Sequence, residues 1–189
     1  MMNLGFNDLW PTTVYRGTID EDINKKICES IFLEINFNDV LTNFQKLDIL
    51  NNGSEIFKTF RDDVVWPAFI NYLNKIDIDI NDFPDRKLQS WITGTYNGYM
   101  IPIHNHSGST LSAVFYLMCE EMNKGGELVL LDSRVNANRG YRDQFKKLFE
   151  NKIYLPKSGE YLMFPGHVYH HTTTFTGHIR LAIPVDLLL

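Results

Sequence analysis

A chain of 189 residues that is 44% hydrophobic and 22% charged has the size and composition of one globular domain with a single core. Its net charge of −5 argues against a nucleic-acid backbone as partner, which would ask for a basic face. The opening MMNLGFNDLWPTTVY has no basic stretch followed by an apolar run, and no segment approaches membrane-spanning length, so a cytoplasmic protein with no membrane partner is expected.

Trp10-Pro11 opens an extended piece, Thr12 to Ile19, whose β-branched residues suit an edge strand. Asp20 is placed to cap a helix over about 21–35, with Glu21 and Asp22 in its first turn. Ile23, Ile27 and Ile31 give that helix an apolar stripe. The Asn-rich stretch 36–52 carries no assignable period. A second helical pattern runs from about Ser54 to Lys75, with Ile56, Phe57, Phe60, Val64 and Val65 on its buried side. Pro67 should kink or split it near Trp66. Residues 77–85 read as a loop. Cys28 and Cys119 form no Cys-x-x-Cys pair and are expected as reduced, buried thiols, as fits a cytoplasmic compartment.

From Lys87 the texture becomes β-prone. Gln89 to Tyr99 is broken by Gly94 and Gly98, and Leu111 to Cys119 is apolar enough to be buried on both faces. Gly125-Gly126 turns the chain into ELVLLD; GEYLMFP and HIRLAIPVDLL are further strands. The expected class is α+β with a mainly β core: a double-stranded β-helix, or jelly roll, with N-terminal supporting helices. One domain over 1–189 is expected, helical support over 1–86 and the jelly roll carrying the site over 87–189. The polar segment 133–152 interrupts two strands, with a short helix expected over Gln144–Phe149 and a place at the binding mouth.

All six histidines fall between positions 104 and 178. His104 and His106 are two apart, so in a strand both rings face one side. A third ligand from HVYHH, which holds His167, His170 and His171, would complete a three-residue set with open positions, as non-haem iron(II) sites require. Arg180 lies in an otherwise apolar strand, where burial asks for a carboxylate or phosphate partner; its planar fork suits a carboxylate. Tyr116 could offer its hydroxyl to the same group.

HNHSGSTLSAVFYL, GGELVLLDSR and GEYLMFPGHVYHHTTTFTGHIRLAI together resemble the 2-oxoglutarate and Fe(II)-dependent oxygenase superfamily, over roughly residues 88–187. The resemblance is to small bacterial and phage oxygenases and, more distantly, to prolyl 4-hydroxylases. It implies His104 as first metal ligand, His170 as distal ligand, and Arg180 with Tyr116 as the holders of the far carboxylate of 2-oxoglutarate. It implies Fe(II) as cofactor, 2-oxoglutarate as co-substrate, and hydroxylation of a small-molecule or peptidyl substrate. The superfamily usually carries Asp or Glu where this chain has His106. The third ligand is therefore His106 itself or a substitute acid, Asp132 at the end of ELVLLD being the candidate.

Two other readings stay open. Gly98 followed by His104-x-His106, with Gly159, Pro165-Gly166 and His170, loosely resembles the cupin motifs, implying a metal-dependent isomerase or dioxygenase without 2-oxoglutarate. A non-catalytic jelly-roll binding module would use the histidines for packing.

Overall fold

The final strand governs the layering. In the computed structural model, which describes residues 11–34, 48–119, 125–134, 142 and 150–189, the elements are β1 (Tyr15–Thr18), α1 (Glu21–Glu34), α2 (Ile49–Asn52), α3 (Glu55–Phe60), α4 (Trp66–Lys75), β2 (Lys87–Ser90), β3 (Thr93–Tyr96), β4 (Leu111–Met118), β5 (Leu128–Leu130), β6 (Lys152–Tyr154), β7 (Glu160–Pro165), β8 (His170–Thr172) and β9 (Ile179–Leu188). The larger sheet runs β1-β7-β4-β9-β2, with β3 also on β9; the smaller runs β6-β5-β8. All these pairings are antiparallel.

Strand pleating sends alternate residues to opposite faces. On β9, Leu181, Ile183, Val185 and Leu187 are buried in the cluster shared with the helices, together with Phe57, Phe60, Phe69 and Leu73. Their neighbours Arg180, Ala182, Pro184 and Asp186 line a cavity between the sheets. Strand β4 divides the same way: Ala113, Phe115 and Leu117 meet the helices, while Val114 and Tyr116 face the cavity. Tyr116, Leu162, Phe164 and Ala182 of the larger sheet pack with Leu128 and Leu130 of the smaller one. That is the expected jelly roll with its helical support on one outer face.

The expected N-terminal elements form. Strand β1 is an edge, and Asp20 caps α1 by accepting from the backbone N–H groups of Asp22 (3.0 Å) and Ile23 (3.1 Å). Ile27 and Ile31 are fully buried. The second helical pattern divides at Trp66, as expected of Pro67, with the backbone helical through the junction. The chain widens into a π-helical stretch, Arg61–Val65, and α4 restarts with proline in its first turn, where no N–H is needed. A second proline explains why β2 and β3 are separate. Residues 91–92 lie opposite Pro184, which has no N–H to donate, and only its carbonyl serves, accepting from Trp91 N (3.2 Å). Gly94 lies inside β3 rather than at a break, whereas Gly98 turns with φ +85°. Strands β6 and β8, three residues each, are additional to the strands expected. The expected helix over 144–149 and most of 133–152 lie outside the described residues. Both cysteines are free thiols of intermediate burial. Among the described residues no helix is long and apolar enough to cross a membrane.

Phe115 joins the layers: it is fully buried, meets Phe60 edge-on at 5.5 Å and stacks with Tyr161 at 4.9 Å. Phe115→Ala should cost about 3–5 kcal/mol in urea unfolding, since the pocket it leaves is walled by a sheet and a helix that cannot collapse together. A loss below about 1 kcal/mol, the scale of a surface change, would mean that the layers are not coupled there.

Candidate metal centre

Two segments bring the three histidines together. His104 and His170 face each other across an antiparallel bridge, with His104 N to His170 O at 2.9 Å and His170 N to His104 O at 2.8 Å. His106 is not in a regular strand; its N–H is held by Gly166 O at 3.0 Å. Gly166 is needed at that crossing, because a Cβ there would come within 2.2 Å of Ser109 Oγ. The rings of His104 and His170 lie 4.3 Å apart, those of His106 and His170 5.0 Å, and those of His104 and His106 5.2 Å.

Hydrogen bonding assigns the tautomers. His104 Nδ1 lies 2.8 Å from Pro102 O and His170 Nδ1 2.9 Å from Val168 O, and a carbonyl oxygen can only accept. His106 Nδ1 lies 2.6 Å from Asp186 Oδ1. Each Nδ1 therefore carries hydrogen, and each Nε2 is the atom left to ligate, the arrangement of metal-binding imidazoles backed by outer acceptors. The Nε2 atoms of His104 and His106 are 3.3 Å apart, a separation that two bonds of about 2.1 Å to one ion would span. Burial pushes the His170 pKa down to about 4 and lowers that of His104, so both rings are held neutral and ready to donate. Converging lone pairs repel one another unless a cation lies between them. These residues fit a metal ion.

Among the described residues the only group of three or more potential donors within 4.8 Å of one another is His104, His106 and His170. Asp132, the candidate substitute, is elsewhere engaged: its carboxylate takes Arg134 Nε at 2.9 Å and Nη2 at 2.6 Å. The carboxylate that meets the histidines is Asp186, which is not among the expected site residues. Its signal was the alternation of IRLAIPVD, which puts position 186 on the same face as Arg180. His167 is exposed, and His171, at the cavity wall, turns its Nδ1 to Thr172 O (3.2 Å).

The cavity holds about 320 Å³. Its middle is lined by Val114, Leu128, Ala182 and Pro184, its histidine end by His104, His106 and His170, and its other end by Arg180 and Tyr116. Arg180 is 3% exposed, and no carboxylate of the described residues pairs with it. Its Nη1 donates to Gly126 O and its Nη2 to Thr95 Oγ1 (3.4 Å), while the rings of Phe175 and Tyr116 flank it at 5.6 and 5.9 Å. Gly126 takes a φ of +78°, which favours glycine, and a Cβ there would push against Arg180 Nη1 at 2.6 Å. Burial raises the Tyr116 pKa, Arg180 opposing it only in part, so the phenol keeps its proton and can donate. A buried cation with unassigned N–H donors and a phenol beside it form a receptor for a carboxylate.

Comparison with known proteins agrees with this chemistry. The model of the family described as "Putative 2OG-Fe(II) oxygenase" matches residues 89–186, more than half of the chain. An oxidoreductase of the 2OG-Fe(II) oxygenase family from Burkholderia pseudomallei is similar in structure, with TM-score 0.53 and 12% identity, over 72% of this chain and 58% of that one. The viral collagen prolyl hydroxylase of Paramecium Bursaria Chlorella virus-1, in its 2OG complex, gives 0.57 and 12% over 92% and 94% of the two chains. HygX from Streptomyces hygroscopicus, with iron bound, gives 0.59 and 12% over 93% and 81%. At these identities the likeness is one of fold. No curated protein matches the sequence.

If the three imidazoles share one ion, cobalt(II) or iron(II) added anaerobically should stabilise the protein by about 2.7 kcal/mol at a hundred times the dissociation constant. His170→Ala should abolish that gain in a thermal melt. An equal gain in the variant would place the ion elsewhere.

Proposed function

The chain belongs to the 2-oxoglutarate- and Fe(II)-dependent oxygenases, enzymes whose cofactor is Fe(II) and whose co-substrate is 2-oxoglutarate, and we propose that here His104, His106 and His170 hold the metal while Arg180 and Tyr116 hold the far carboxylate of 2-oxoglutarate. The observation that carries the reading is the set of three Nε2 donors turned to one point by Nδ1 bonds to Pro102 O, Val168 O and Asp186. When bound, Fe(II) and 2-oxoglutarate would supply, with dioxygen as the oxidant, an oxidative decarboxylation to succinate and carbon dioxide coupled to hydroxylation of a substrate C–H bond, one oxygen atom of O2 entering succinate and the other the substrate.

The protein's share is positional. Three donors on one side leave the remaining coordination positions open. Arg180 neutralises the distal carboxylate, and Tyr116, a protonated phenol at the cavity wall, donates to it. The apolar middle of the cavity excludes water from the reacting end. The substrate, a small molecule or a peptidyl side chain, enters past Ile101, Asn105 and His171, which line the cavity beside the histidines. Ile103 and Tyr169, flanking two of the ligands in sequence, are 60% and 52% exposed and offer apolar contact at the entrance. A cupin-like enzyme without 2-oxoglutarate has no use for a buried Arg180 that no carboxylate of the described residues pairs with, which is why this reading is preferred.

Arg180→Ala should weaken 2-oxoglutarate binding ten- to a hundredfold, because a shielded charge-assisted pair contributes about 1.5–3 kcal/mol. Arg180→Lys should fall between, keeping the charge without the fork. Metal affinity should hardly move. The readout is the iron–2-oxoglutarate charge-transfer absorption, titrated without oxygen. No absorption in the parent would favour the cupin-like reading, and unchanged affinity in Arg180→Ala would remove Arg180 as the anchor of the carboxylate.

A further inference from the structure

The His-x-His sequence leaves a charge problem that Asp186 is placed to solve. A divalent ion on three neutral imidazoles keeps its whole charge, whereas two imidazoles and a carboxylate neutralise half of it. Asp186 sits at the histidine end of β9, 8% exposed. One of its oxygens takes both His106 Nδ1 at 2.6 Å and Ser112 Oγ at 2.7 Å. Ser112 lies 3.2 Å from Ser109 Oγ, which donates to the backbone oxygen of His106 at 3.1 Å. The carboxylate, the two hydroxyls and the histidine thus close a ring of contacts, with Trp91 packed on the imidazole at 5.5 Å.

No Lys or Arg of the described residues pairs with Asp186. The cation of the same strand, Arg180, is six residues away, about 20 Å along the backbone. A carboxylate this shielded, with no cation beside it, is costly unless its charge is answered through its partner. The partner here is the ring whose far nitrogen faces the proposed metal position.

We infer that Asp186 is a positioning residue that supplies, through His106, the anionic charge which a directly ligating carboxylate would otherwise bring. It fixes His106 as the Nδ1–H tautomer, orients Nε2 and makes that nitrogen a stronger donor. The inference rests on the metal-site reading above and adds to it a residue that never touches the metal.

The test is an anaerobic cobalt(II) titration of the full chain, read by the visible absorption of bound cobalt, beside thermal melts of the metal-free proteins. Asp186→Asn keeps the size and an oxygen acceptor but removes the charge. It should weaken cobalt binding ten- to a hundredfold, the usual effect of losing an outer partner of a ligating histidine, and shift the absorption of the bound ion. Metal-free Asp186→Asn should melt no lower than the parent, since it has lost an uncompensated buried charge. Ser112→Ala leaves the charge in place and should bind cobalt close to the parent's strength; it keeps the inference testable should the asparagine variant fail to fold, because a loss equal to that of His106→Ala would make the contact ring, and not the charge, the important feature and overturn it. Unchanged cobalt affinity and absorption in Asp186→Asn would also overturn it. Failure of the underlying reading looks different: the parent would bind no cobalt, or His170→Ala would bind it as the parent does.

Discussion

Every residue of β9 must face either the helices or the cavity, because a central pleated strand has no third direction. That constraint organises the molecule. The helix-facing set, Leu181, Ile183, Val185 and Leu187, is wholly aliphatic and supplies the burial that holds helices and sheet together. The cavity-facing set, Arg180, Ala182, Pro184 and Asp186, is polar at its two ends and apolar between them. One strand therefore fixes both poles of the site at a set separation, one cationic and one anionic. Displacing it by a single residue would exchange the two sets and lose core and site together.

The two poles do different electrostatic work. Arg180 is a buried cation held, among the described residues, by a backbone carbonyl, a hydroxyl and two aromatic faces, none of which neutralises it. At the opposite pole the anion Asp186 lines the cavity with one of its oxygens bonded to the His106 ring. Between them Val114, Leu128, Ala182 and Pro184 keep the dielectric low, which strengthens the field of both ends on whatever lies in the cavity. A short molecule with a carboxylate at one end and a metal-chelating group at the other complements that arrangement.

Much of this is legible in the sequence. The spacing of His104 and His106 foretold that their rings would share a side, although His106 reaches its place from an irregular segment rather than a continuing strand. Arg180 stood out because an apolar strand has no other reason to bury it. The Asp20 cap and the apolar stripe of α1 were legible because they are local. Asp186 was not, because its importance depends on parity along β9 and on a contact with His106 eighty positions away. Asp132 was the more visible acid, closing ELVLLD next to a turn, yet a neighbouring Arg134 engages it. Pro67 was legible too: α4 starts afresh at Trp66 with the proline in its first turn.

The central claim is that one iron is held by three imidazoles and no protein carboxylate. X-ray absorption at the iron edge, on the anaerobic iron-loaded protein, tests it most directly. The account predicts scattering from three imidazole rings bonded at about 2.1 Å, falling to two in His106→Ala. Two imidazoles with a protein carboxylate in the parent, and no change in His106→Ala, would contradict it.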